Sequence, residues 1–301
     1  MLHVVGNAAI DTIFCVDRLP LPGETVVAAA MVEDIGGKGA NQAVVAARAG
    51  VPVRLIAAVG DDEAARRIRV ALDAEGVISD GLWTIPGPTD RSSIYVDAGG
   101  ENTIVSLTRA ARAFDPLALG ALDTLTGDDM LLCQGNLEPG VLASCLAMAR
   151  QKGALTALNP SPVFLSAGFD WGLADLLVAN RIEAKQLTGL DDPTDAARRL
   201  RAAGSGTVVV TLGRQGALLV ADEVSTVAAP ALDAVDTTGA GDAFCGVLVA
   251  MRLRGLSWLD ALALAAEAAA ISVTRRGVLE AFPTVDEIRA MVAVRTRRGD
   301  G

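Results

Sequence analysis

Two hydrophobic periods alternate along the chain. Short apolar runs recur: LHVVGN (2–7), VRLIAAVG (53–60), DMLLCQG (129–135), ALTALNPSP (154–162), DLLVAN (175–180), TVVVTLG (207–213) and GALLVAD (216–222). Each is too short for a stable helix and most end in glycine, asparagine or proline, so they read as buried strands. Between them lie segments whose apolar positions recur every three to four residues: GANQAVVAARAG closed by Gly50, DDEAARRIRVALDAEG stopped by Gly76, LEPGVLASCLAMARQKG and RIEAKQLTG. These read as helices with glycine stops. The last third is helical by the same test, over Ala240–Leu253, Trp258–Val273 and Val285–Val294. Such β-α alternation predicts a parallel sheet covered by helices on both faces.

Two β-prone pieces fit poorly between those layers. One spans residues 11–34 and contains TVVAAAMV; the other pairs RSSIYVD with NTIVSL across a turn at AGGEN and spans residues 91–108. They predict a small separate sheet over one edge. With no repeat, low-complexity tract or long linker, residues 1–301 read as a single domain.

Composition narrows the function. Net charge is -10, which disfavours a nucleic-acid partner because phosphate backbones call for a basic face. No basic amphipathic helix suggests a membrane surface, and the N-terminus has no basic region of a secretory signal. Cys15, Cys133, Cys145 and Cys245 show no metal-binding spacing, so a reduced, cytoplasmic setting is expected. The one histidine, His3, lies in a predicted strand, so histidine-based nucleophilic triads and most zinc chemistries are disfavoured. Carboxylates, backbone amides and metals are left to do the work.

Four stretches can carry such chemistry. In DTTGAGDAFCG (236–246), Gly239, Ala240 and Gly241 open a helix, where unpaired N–H groups and the helix dipole favour an anion such as phosphate. Asp242 beside them either caps its own helix or takes a proton from a hydroxyl that attacks a phosphoryl group. In IGGKGANQA (35–43), paired glycines precede a helix and present Lys38 and Asn41, either to a ligand or to solvent. In NRIE (180–183), Asn180 and Glu183 either hold water on a magnesium ion or form a simple helix start. In TLGRQG (211–216), Thr211, Gly213 and Gly216 line a ligand site or make a plain hairpin turn. Neither G-x-G-x-x-G nor the Walker motif is present, because Phe244 and Val32 occupy required glycine positions.

GGKGANQA near one end and DTTGAGDAF near the other, some two hundred residues apart, resemble the two signatures of the PfkB/ribokinase carbohydrate kinases. The resemblance implies a three-layer α/β/α fold with a small β-sheet lid, and transfer of the γ-phosphoryl group of ATP to a sugar hydroxyl with Mg2+. It implies Asp242 as base and Gly239, Ala240 and Gly241 as anion hole. Asp11, Gly37, Lys38 and Asn41 would bind the sugar, Asn180 and Glu183 would act on magnesium and phosphate, and Thr211, Gly213 and Gly216 would line the nucleotide site. Asp236 and Thr238, with backbone from Val273 and Val278, resemble a loop for a monovalent cation such as K+, although Ala281 stands where a serine often completes it. Ribokinases commonly read Q-x-E where this chain has Gln134–Gly135–Asn136, so Asn136 becomes the sugar-binding candidate and Glu138 lies two residues on. Ribose is the leading acceptor. Fructose, a keto-deoxy sugar acid, a nucleoside or a sugar phosphate are alternatives, the last served by Arg91, Arg109 or Arg112. A non-catalytic sugar- or nucleotide-binding regulator on the same fold is a further alternative. Open edges of the lid predict a homodimer.

Overall fold

The computed structural model describes residues 1–99, 102–165 and 168–299. Nine strands form one sheet: β1 (Leu2–Val5), β4 (Val53–Val59), β5 (Ile78–Thr84), β8 (Met130–Gln134), β9 (Leu155–Asn159), β10 (Leu176–Asn180), β11 (Thr207–Thr211), β12 (Ala217–Val220) and β13 (Val224–Val227). Their order is β13-β12-β11-β10-β9-β8-β1-β4-β5. Pairing is parallel from β5 through to β11, and antiparallel where β12 and β13 extend one edge.

The period of two builds the layers. Leu2, Val4, Met130, Leu132, Leu176, Val178 and Val209 point to one core, while Val5, Leu131, Cys133, Leu177, Val208 and Val210 point to the other. Alternate side chains of a strand leave on opposite faces, so a sheet covered twice reads as nearly continuous apolar sequence. Helices α1 (Lys38–Arg48), α2 (Glu63–Ala74), α7 (Ala240–Leu253), α8 (Trp258–Ser272) and α9 (Val285–Gly299) supply the first layer. Helices α3 (Arg109–Ala113), α4 (Pro139–Gln151), α5 (Arg181–Thr188) and α6 (Pro193–Ala202) supply the second. Asp62, Asp192 and Ser257 cap α2, α6 and α8 by accepting N–H groups of their first turns.

A second sheet orders β3 (Ala30–Gly36), β2 (Ala9–Cys15), β6 (Asp90–Val96) and β7 (Asn102–Leu107). Its outer pairs are antiparallel and its inner pair, β2 with β6, is parallel. Only the second half of TVVAAAMV is a strand; residues 25–28 pair with none, and Val27 is 88% exposed. The run is β-prone, but β2 ends at Cys15, opposite Ala30, so the first half has no partner strand beside it. The AGGEN turn includes Gly100 and Glu101, which lie outside the described residues. Helix α9 continues past Val294 to Gly299. Helix α6 escaped the periodicity because only Ala196, Ala197 and Leu200 of it are buried. Among the described residues no helix is long and apolar enough to cross a membrane.

Candidate active site

The C-terminal ends of adjacent parallel strands open into one crevice, the usual place for ligands in such sheets. A cavity of about 820 Å³ there is lined by Asn7 beyond β1, Asn136 beyond β8, Asn159 of β9, Asn180 of β10 and Thr211 of β11. The small sheet closes it with Asp11, Ser92 and Ile94. From the signature stretches come Gly37, Lys38 and Asn41 on one side, and Gly239, Gly241 and Asp242 on the other. A smaller cavity of about 280 Å³ adjoins it, lined by Gly213, Gly216, Pro230, Phe244 and the alanines of α8. Thr211, Thr237 and Gly241 belong to both walls.

Glycines permit this convergence. Gly37 starts α1 at φ 91°, with Asn7 O 2.8 Å from where a Cβ would sit. At Gly246 an added Cβ would meet Gln42 O and Val45 Cβ at 2.9 Å. The last glycine of DTTGAGDAFCG therefore lets α7 lie against α1, which brings residues two hundred positions apart into hydrogen-bond range. Asn41 Nδ2 donates to Asp242 Oδ2 at 2.9 Å, and Gln42 Nε2 donates to Asp242 Oδ1 at 2.9 Å. Asp242 is 6% exposed and does not cap its helix. The capping alternative for this residue is set aside by these partners.

Gly239 precedes α7 at φ 75°, and a Cβ at Gly241 would meet nothing within 4 Å. Among the described residues, the Gly241 and Asp242 N–H groups have no backbone partner, as a helix start leaves them. The first turn thus offers free donors beside open space, with a carboxylate one residue on.

Several polar atoms aimed at the larger cavity lack partners. Asp11 Oδ1, Asn41 Oδ1 and both Oδ1 and Nδ2 of Asn136 are buried without hydrogen bonds. Such atoms are costly unless a ligand satisfies them. Burial pushes the Asp11 carboxyl up to about 6; a hydrogen bond from Ser92 opposes this, Asp242 and Asp34 add to it, and Lys38 opposes it. Glu138 precedes α4 and is absent from the cavity wall.

Asn180 and Glu183 form a capping box: Asn180 Oδ1 accepts the Glu183 N–H at 2.8 Å, and Glu183 Oε2 accepts the Asn180 N–H at 2.9 Å. Both also line the cavity, so the helix-start reading and the ligand reading describe one arrangement. Among the described residues no group of three or more histidine, cysteine, aspartate or glutamate side chains is arranged to hold a metal. Glu183 and Asp242 share the cavity wall, a donor set that fits a hard divalent ion held by one or two carboxylates together with substrate phosphates.

The candidate monovalent-cation loop is paired within itself except at Thr238, whose Oγ1 is buried without a hydrogen-bond partner. Asp236 accepts the Thr238 N–H at 2.9 Å and the Gly277 N–H at 3.2 Å. The Val273 carbonyl accepts the N–H groups of Val235 and Asp236, and the Val278 carbonyl those of Ala281 and Phe282. A carbonyl has two lone pairs, so neither valine offers a free one.

The sequence reading missed Gln42, Gln134, Asn159 and Asn7. The available signal was polar residues inside otherwise apolar elements, as in GANQAVVAA and MLLCQ. It also missed Asp34 of β3, whose carboxylate accepts the N–H groups of Val278 and Leu279 and so ties the small sheet to the C-terminal loop.

Residues 1–285 match the family described as pfkB family carbohydrate kinase. A ribokinase of Haemophilus influenzae is 31% identical over 294 residues, covering 95% of this chain and 96% of that one. A deoxyribokinase of Salmonella typhi is 29% identical over 304 residues, covering 97% and 99%. Among solved structures, Arabidopsis thaliana ribokinase complexed with ribose and ATP aligns with a TM-score of 0.82 at 26% identity, covering 96% of this chain and 97% of that one.

Proposed function

The chain belongs to the pfkB family of carbohydrate kinases, and we propose that it transfers the γ-phosphoryl group of ATP to a hydroxyl of ribose. The observation that carries this reading is the Asp242 carboxylate, held through both oxygens beside the free N–H groups of the α7 start. Asp242 acts as the base that takes the proton of the attacking hydroxyl. The main-chain donors of Gly239 and Gly241 face the charge that develops on the phosphoryl group, joined by that of Ala240 once it leaves the Thr237 carbonyl, which it meets at 3.4 Å; each such donor is worth about 3 kcal/mol when lost. The unpartnered atoms of Asp11, Asn41 and Asn136, with Lys38 and Gly37, bind the sugar. The small apolar cavity with Thr211, Gly213 and Gly216 receives the adenine end of the nucleotide. Magnesium, when bound near Glu183 and Asn180, neutralises phosphate charge. Potassium, when bound, would sit at the loop of Asp236 and Thr238, where the unpartnered Thr238 Oγ1 would face it. The small sheet acts as a lid, residues 1–301 act as one domain, and exposed Met31, Val32, Ile104 and Val105 on its outer strands support pairing of two copies in the cytoplasm.

A deoxy sugar is the second reading. The Salmonella typhi relative favours it, as does Asn136, a neutral amide where an acceptor-only carboxylate would demand a hydroxyl donor. ADP release measured with ribose, deoxyribose, fructose, a keto-deoxy sugar acid, a nucleoside and a sugar phosphate separates the acceptors. Ribose should give the highest kcat/KM, and a clear preference for another acceptor replaces the assignment. Asp242→Asn should lower kcat by about a thousandfold with both KM values nearly unchanged. Turnover near the parent rate in that variant removes the base role.

A further inference from the structure

Behind Asp242 lies a chain of side-chain amides in which Asn159 alone reaches the cavity wall, and Gln42 and Gln134 do not. Gln42, fully buried, spends both amide hydrogens: Nε2 donates to Asp242 Oδ1 at 2.9 Å and to Asn159 Oδ1 at 3.1 Å. Its Oε1 accepts from Gln134 Nε2 at 2.9 Å. Asn159 Nδ2 in turn donates to the Val178 carbonyl at 2.8 Å. The polarity of this chain is set from its ends, because a carbonyl and an ionised carboxylate only accept. Asn159 must turn its oxygen toward Gln42, Gln42 must turn its nitrogen toward Asp242, and Gln134 must donate. Side chains from β8, α1 and β9, anchored on β10, thereby fix one rotamer and one amide orientation at Gln42.

Resting on the base reading of Asp242, we infer that Gln42 is a positioning residue for the phosphoryl-transfer step, and that Gln134 acts through it. Asn41 holds one carboxylate oxygen and presents its own unpartnered oxygen to the cavity, so it serves sugar and base together. Gln42 holds the other oxygen and is absent from the cavity wall. With each oxygen held by a separate amide, the carboxylate cannot swing about its Cβ–Cγ bond, and its remaining lone pairs face one direction. Misplacing a catalytic group by about an ångström costs on the order of a hundredfold in rate. Gly6 serves the same chain: a Cβ there would overlap Gln134 Oε1.

The test is steady-state kinetics on Gln42→Met, Gln134→Met and the double variant, beside Asp242→Asn. Gln42→Met should lower kcat about 10- to 100-fold, the worth of one hydrogen bond to a charged group, with the KM values for sugar and ATP within about twofold. Gln134→Met should lower kcat less. The double variant should match Gln42→Met alone, since residues acting through one contact are non-additive. A kcat for Gln42→Met within twofold of the parent while Asp242→Asn is inactive overturns the inference and leaves the base reading standing. Losses that multiply in the double variant, or a rise in sugar KM that accounts for the whole loss, also overturn it. If Gln42→Met does not fold, Gln134→Met decides alone: a lower kcat at unchanged KM supports the inference, and an unchanged kcat ends it. An active Asp242→Asn removes the base reading instead.

Discussion

The two cavities share a seam and almost no chemistry. The larger adds to apolar residues such as Ile94, Phe164 and Val178 a set of aspartate, asparagine, serine, threonine and lysine side chains, several with unpartnered buried atoms. The smaller is walled mostly by alanines, Pro230, Leu232, Phe244, Val273 and glycine backbone, with Thr211, Arg214 and Thr237 at its polar margin. Directional hydrogen bonds suit a ligand that differs from its competitors by the position of a hydroxyl, because a buried polar atom left unpaired penalises the wrong one. An apolar slot suits a flat ring, which needs burial and little direction. The start of α7 stands between them, its Gly241 in both walls and Asp242 on the polar side. Recognition is thus divided, and the reaction takes place at the boundary.

The sharpest way to break this division is at Asn136. Its amide is 4% exposed and neither of its polar atoms has a partner, so its hydrogen bonds belong to the ligand. Asn136→Leu keeps the branched shape, adds some bulk and removes two neutral hydrogen bonds, which predicts a rise in sugar KM of about 50-fold. The KM for ATP should stay within twofold. Kinetics with each substrate varied in turn checks both halves, and equal rises would mean that the two cavities act as one.

The converse change fills the apolar side. Ala270 is buried in α8 and faces the smaller cavity. Ala270→Phe places a ring where the adenine is proposed to lie and should raise the KM for ATP about tenfold with sugar KM unchanged. Cavity space receives the added ring, so the melting temperature should move little. A rise in sugar KM of the same size would place the sugar in the apolar slot.

How much of this was legible in the sequence follows from the same contrast. The polar side was readable because its residues sit in short glycine-rich stretches where backbone and side chain are constrained together, as with Gly37, Lys38 and Asn41. The parallel sheet was readable because two-sided burial leaves continuous apolar runs such as TVVV and LHVV. The apolar cavity was largely illegible: Ala229, Pro230, Leu232 and Ala266 are ordinary residues whose shared wall exists only after α8 packs beside β13. Gln42 and Asn159 were also missed, since a buried amide is recognised by its partners and those lie 117 and 200 positions from Gln42. Helix starts left two readings open in one place, because a capping box at Asn180 and a ligand wall use the same two side chains.

The smallest effect expected concerns Asp11, and it tests whether the polar side reads its ligand through charge. Burial is the main cause that raises its carboxyl to about 6 from an ordinary 3.8, with Asp242 of α7 and Asp34 of β3 adding repulsion, and Lys38 of α1 and the Ser92 hydrogen bond of β6 opposing it. The folded state therefore holds a proton on Asp11 that the unfolded chain has already released between pH 3.8 and about 6. Across that window this residue contributes less stability as pH rises, and above it the buried charge is a net cost. Sugar binding runs the other way, because a hydroxyl donates more strongly to the ionised form than to the acceptor oxygen that the protonated carboxyl keeps. From pH 7.5 to 5.5 the ionised fraction falls roughly fourfold for a group titrating at about 6, so sugar KM should rise by about that factor. Asp11→Asn should flatten this pH dependence, weaken sugar binding at pH 7.5 and raise the melting temperature there, because it removes the charge and keeps the shape. A variant that loses binding yet keeps the same pH slope would assign the titration to another group. A variant that also melts lower would show that the carboxylate is part of the frame that packs β2 against the end of β3 at Gly36, where any added Cβ would overlap the Asp11 side chain.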